Sequence, residues 1–123
     1  MTSSRFHLTL PAQTTYLQLV RLTAATIASD VLSVEEVEDV KVAIEELSAA
    51  AMRPDSGEPD LHLEFVVSND ALAVNGQREL APDEELITHE FLSTILDAVC
   101  DEHELSTDRG VGTFRFVKHA RGR

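Results

Sequence analysis

The side chains able to do chemistry in this chain are few, and their spacing serves few reactions. Five histidines, His7, His62, His89, His103 and His119, are scattered along the sequence, and none lies four residues from another. A structural zinc site takes about four ligands, and Cys100 with His103 offers only a lone C-x-x-H. These histidines therefore read as ordinary surface or strand residues, and no metal is expected. Cys100 lies near a helix end among acidic residues. Acidic neighbours raise a thiol pKa and blunt its nucleophilicity. It is the only cysteine, so an internal disulfide is impossible, and a reducing, cytoplasmic location is expected. The sequence holds no G-x-S-x-G, no Walker loop and no credible triad.

Charge narrows the partners. The formal net charge is -12. Every acidic residue lies between Asp30 and Asp108, and half of the basic ones lie from Arg109 onwards. A body this acidic repels nucleic acid and anionic membranes and favours a basic protein partner, or simply stays soluble. The basic end reads as a frayed, solvated terminus. No apolar run approaches a membrane span, and the N-terminal MTSSRFHLTLP has no signal-peptide core. A chain of 123 residues suits one domain over its whole length, residues 1–123.

The elements that must position any site follow from periodicity. Arg5 to Leu10 alternates as a strand, with Phe6, Leu8 and Leu10 on one side. Thr15 to Ser29 reads as a helix whose stripe is Leu17, Val20, Ala24, Ile27 and Ala28. Tyr16, Leu19 and Leu22 give it a second apolar face, fit for a partner, a second copy or further burial. Ser33 followed by Glu36 is a capping box opening a second helix that runs to Met52. Val37, Val40, Ile44, Leu47 and Ala51 share one face of it, and Lys41 with Glu45 forms an i,i+4 pair on the other. Pro54, Gly57 and Pro59 stop the helix. Two strands follow, Leu61 to Val67 and Ala71 to Asn75, joined by a tight turn at Ser68-Asn69-Asp70.

Pro82 and Asp83-Glu84-Glu85 are expected to open a third helix reaching Val99, since acids in a first turn complement the helix dipole. Its apolar set is Leu86, Ile87, Phe91, Ile95, Leu96 and Val99. Glu102 to Ser106 and Gly112 to Val117 close the chain as strands around an Asp108-Arg109-Gly110 turn. The order β-α-α-β-β-α-β-β predicts an α+β two-layer sandwich: three helices on one face of a mostly antiparallel sheet of five strands.

That order resembles the GHKL (histidine kinase-like, HSP90-like) ATPase fold in its small form, the serine-kinase branch of bacterial anti-sigma factors. Three segments carry the resemblance. One is the helical pair Thr15–Met52, with Val20-Arg21 matching a frequent Val-Arg. The others are LSTILDAVCDEHEL (92–105) and GTFRFVK (112–118), similar to the family's helix-to-strand junction and last strand.

The resemblance implies a second helix with E-x-x-x-N, Glu as general base and Asn as magnesium ligand. Glu46 matches the Glu, but Ala50 stands at the Asn and supplies no oxygen. The family's D-x-G-x-G, whose Asp reads adenine, corresponds to Val74-Asn75-Gly76-Gln77-Arg78, with no Asp. Its phosphate-cradling G-x-G-L corresponds to Glu85-Leu86-Ile87-Thr88, with no glycine. The segment where a lid would lie is short and carries Glu79, Asp83, Glu84 and Glu85 against Arg78, which repels phosphates. Glu46, Ala50, Asn75 and Gly76 are thus vestigial positions, and no cofactor is expected.

The reading that follows is a degenerate anti-sigma factor-like regulator. It binds a sigma factor or an anti-sigma antagonist without ATP turnover, as a homodimer, through Tyr16, Leu19, Arg21 and Leu22. Two alternatives stand beside it. One is an ATP-binding serine/threonine kinase in which Asn75 replaces the adenine-reading Asp and Mg-ATP is the cofactor. The other is a non-catalytic adaptor.

Overall fold

Strand alternation decides which face of the sheet is covered. In β2 (Leu61–Val67) the residues Leu61, Leu63, Phe65 and Val67 are buried, while His62, Glu64 and Val66 face the other way. In β3 (Ala71–Glu79) the inward set is Leu72, Val74, Gly76 and Arg78. Such period-2 patterning fixes register, because a slip of one residue would expose the whole apolar set. β1 (Ser4–Leu10) pairs with β2, β2 with β3, β3 with β5 (Val111–His119) and β5 with β4 (Glu102–Asp108). All four pairings are antiparallel, giving the order β1-β2-β3-β5-β4. The structure, a computed structural model, describes residues 3–121.

The two hairpins have local causes. Ser68 N–H donates to the Ala71 carbonyl at 3.0 Å and closes the β2–β3 turn. Between β4 and β5, Arg109 and Gly110 both have positive φ, 52° and 76°. Two positive φ values twist a turn in the sense that matches paired strands.

Three helices cover one face, as the sequence predicts. α1 (Leu17–Ala28) follows a single 3-10 turn at Thr14–Tyr16, so the regular helix starts two residues later than its pattern indicates. It buries Val20, Ala24, Ile27 and Ala28. α2 (Val34–Ala51) has its capping box formed: Glu36 N–H donates to Ser33 Oγ at 3.2 Å, and Ser33 N–H to Glu36 Oε1 at 2.8 Å. It buries Val40, Ala43, Ile44 and Leu47 against the sheet.

Several expectations are corrected. α3 spans only Leu92–Val99. Residues 80–91 form an irregular strap, because Glu84 is drawn inward by two arginines instead of standing in a first helical turn. Ile87 and Phe91, placed on a buried helical face by their spacing, are exposed, Phe91 by 62%. Lys41 pairs with Glu38 at 2.8 Å rather than with Glu45, whose partner is Arg21. Phe6 of β1 is also exposed. β3 and both final strands run longer than their alternation indicated.

The basic C-terminal segment is folded rather than frayed. Arg115 binds Glu102 and the buried Lys118 binds Asp39 at 2.9 Å. Arg121 binds Asp101 through its guanidinium and Glu36 through its backbone N–H. Arg123 lies outside the described residues.

Candidate functional site

Residues on the second half of α2, the end of β3, the middle of β5 and the strap meet at one end of the molecule. Glu46 and Ala50 are four apart and share a flank of α2. The last carbonyls of a helix lack internal donors. That of Ala50 is satisfied by the strap, through the Ile87 N–H at 2.8 Å. Ala50 itself is buried. Glu46 also has a strap partner, His89 Nε2, at 3.1 Å from its Oε1. Glu46 therefore faces an imidazole of the same chain.

The alternation of β3 separates Asn75 and Gly76. Asn75 lies on the open face of the sheet, and its Nδ2 donates to Glu64 Oε1 at 3.3 Å. The Arg5 guanidinium beside it, at 2.9 Å, holds the Glu64 carboxyl below its usual range. Asn75 is thus on the opposite side of the sheet from Glu46 and Ala50. Gly76 faces the helices. It pairs with Phe114 of β5, and a Cβ added to Gly76 would overlap the Phe114 ring. The ring lies against the glycine backbone on the helix side of the sheet.

Below this, charge is neutralised in the interior. Arg78 is 2% exposed. Its Nε donates to the Pro59 carbonyl at 3.0 Å, one Nη to the Glu58 carbonyl at 2.9 Å, and the other to Glu84. Arg53, just past α2, donates through Nε to the same Glu84 oxygen at 2.7 Å. The second Glu84 oxygen accepts the Ala81 N–H at 3.0 Å. Burial alone would raise the Glu84 carboxyl. The Ala81 N–H and the two guanidiniums outweigh it and hold the pKa at about 2. Leu86 completes the strap by covering Gly112, where an added Cβ would stand 2.7 Å from the leucine.

Sequence reasoning named Glu46, Ala50, Asn75 and Gly76 in this region but not the contacts that Phe114, Glu84 and His89 make there. For Phe114 a signal existed, because alternation in β5 turns it inward; its place over Gly76 depends on a register set far along the chain. For Glu84 the signal was Arg78, a cation at an inward position of β3 that required a buried counter-charge.

Of the α1 residues, Tyr16, Leu19 and Leu22 are exposed. Arg21 is not free: it binds Glu45 of α2 at 2.9 Å and also Gln18, so it ties α1 to α2. Cys100 is buried, and burial pushes its thiol up to about 11, so its inertness comes first from burial rather than from its acidic neighbours. Among the described residues, no helix is long and apolar enough to cross a membrane.

No family model matches the sequence, and no curated protein matches it. The class that the elements define is an α+β sandwich, three helices on an open five-stranded antiparallel sheet. The same fold is found in the crystal structure of the RsbU and RsbW domains of Rv1364c from Mycobacterium tuberculosis. The TM-score is 0.73 at 14% identity, over 97% of this chain and 33% of that one. This chain spans about a third of that protein's crystallised length, and the likeness is one of fold.

Proposed function

We propose that this chain is a binding regulator of the anti-sigma type that has given up nucleotide chemistry. It engages a sigma factor or an anti-sigma antagonist protein, in the cytoplasm and as a homodimer, without turning over ATP. The observation that carries the reading is that the chain's own residues engage the positions where the resemblance would put a nucleotide site. Phe114 lies over Gly76, the strap is bonded to the Ala50 carbonyl, and Glu46 is paired with His89. A scaffold like that of an RsbW-containing protein supports the regulatory half of the proposal. Fold alone does not carry function, which resides in sites. Here the residues that would do phosphoryl transfer are replaced or engaged elsewhere. The kinase alternative finds no support in Asn75, which faces away from Glu46.

The test is affinity capture of the tagged protein from its native host, with retained proteins identified by mass spectrometry. A sigma factor or a small antagonist is the expected companion, and retention of neither by folded protein overturns the reading. The loss of ATP chemistry has its own check in a melting curve. Ligand at about a hundred times its dissociation constant adds roughly 2.7 kcal/mol of stability. Millimolar Mg-ATP is expected to leave the melting temperature unmoved, and an upward shift would restore the kinase alternative. Light scattering on the purified protein tests the dimer.

A further inference from the structure

The groove between α1 and α2 is lined by residues at helical spacing on both walls. Arg21 and Leu22 come from α1; Glu38, Lys41, Val42, Glu45 and Glu46 come from α2. The apolar members, Leu22 and Val42, are 52% and 41% exposed. Both cations are already engaged, Arg21 with Glu45 and Lys41 with Glu38. Of the three carboxylates, Glu46 faces only the imidazole of His89, on the strap. The groove therefore presents two half-exposed apolar side chains, Leu22 and Val42, among charged ones, and of its carboxylates Glu46 is the one not paired with a cation of the groove, on a molecule whose net charge is -12.

We propose that this groove docks a cationic amphipathic helix of the partner protein. An apolar side chain of that helix would seat between Leu22 and Val42. Its lysines or arginines would reach Glu46 and compete with Arg21 and Lys41 for Glu45 and Glu38. Helix-in-groove recognition places anchors at i, i+3, i+4 and i+7, which is the spacing that the α2 wall itself shows from Glu38 to Glu45. The sign of the charge selects the occupant: nucleic acid and anionic lipid surfaces are repelled, and a basic helix is drawn in. The surface extends beyond the α1 face read from sequence, adding Val42 and the α2 carboxylates and assigning Arg21 to the groove wall. The inference rests on the partner-binding reading above and names the chemistry of the segment bound.

The test uses the full chain and a synthetic probe, a helical peptide of about 18 residues, five turns, with leucines on one face and lysines on the other. Binding is read by fluorescence anisotropy at physiological salt. Leu22→Lys and Val42→Lys each remove one of the two apolar contacts and add a repelling charge, and each is expected to weaken binding by about tenfold or more. Val34→Lys makes the same chemical change at an exposed position of α2 that does not line the groove. It is expected to stay within about twofold, the scale of one surface charge. Equal losses in all three variants, or no binding by the wild-type chain, would overturn the proposal. All three positions are exposed, and a melting curve on each variant establishes that the fold is intact. The assay reads the groove without any host protein. Its failure is thus distinct from a failed capture, which would remove the sigma-factor or antagonist reading and leave the groove to be judged by the peptide.

Discussion

At the scale of single residues, a methyl group at position 76 is the sharpest probe of the Phe114–Gly76 contact. Gly76→Ala places a Cβ within the Phe114 ring, and such overpacking is expected to cost about 1–3 kcal/mol. Phe114→Ala removes the ring and leaves a cavity, with an expected loss of about 3–5 kcal/mol. Because the alanine at 76 fits once the ring is gone, the double variant should lose less than the sum of the singles. Urea denaturation of the three proteins measures this. Glu84 makes a second prediction. Its pKa is depressed from 4.5 to about 2, so its contribution is fully present above pH 4.5 and is lost as pH falls through 2. That contribution is of order 3 kcal/mol at neutral pH. Glu84→Gln should be less stable than the wild type at pH 7, with the gap closing as the medium is acidified towards about pH 2. Part of the loss is the buried Arg78 left without a counter-charge.

At the scale of elements, the strap is where sequence and tertiary structure part company. Ile87→Pro deletes the N–H that satisfies the Ala50 carbonyl. The expected cost is about 1–2 kcal/mol, one bond and one orphaned carbonyl. Amide exchange in residues 80–91 should accelerate while the β2–β3 ladder keeps its protection. If the whole molecule instead loses protection together, the strap belongs to the same cooperative unit as the sheet. Elements fixed by local chemistry were legible in advance. Ser33 and Glu36 set the start of α2, and Ser68 to Asp70 set the first hairpin. The alternating Leu61, Leu63 and Phe65 set β2 residue for residue. Asp83-Glu84-Glu85 behind Pro82 imitated a helix start equally well, and only the two arginines converging on Glu84 overrule it. The same holds for the candidate site. Glu46 and Ala50 were picked out by the family resemblance, and their shared flank follows from spacing along one helix, whereas the Phe114–Gly76 contact and the side of the sheet taken by Asn75 needed cross-strand register.

At the scale of the whole molecule, charge and edges govern how it meets others. The exposed edge strand β4 carries Glu102, Glu104 and Asp108, which discourage edge-to-edge pairing with further chains. With a net charge of -12, association with a basic partner should be steered electrostatically. Its on-rate is then expected to fall by about tenfold from low to physiological salt while the off-rate changes little. Stopped-flow binding of the captured partner at several salt concentrations measures both, and a salt-independent on-rate would assign recognition to the apolar contacts alone.

The Phe114 ring over Gly76 has a consequence for dose and timing. Under the proposed function that ring stands where fuel would otherwise sit and ATP is not turned over, so each encounter with a partner is reversible and none is reset by hydrolysis. Such a protein behaves as a stoichiometric titrant. Free partner stays scarce until its copy number passes that of the regulator, then rises steeply. The output becomes a threshold set by how much of each chain the cell synthesises.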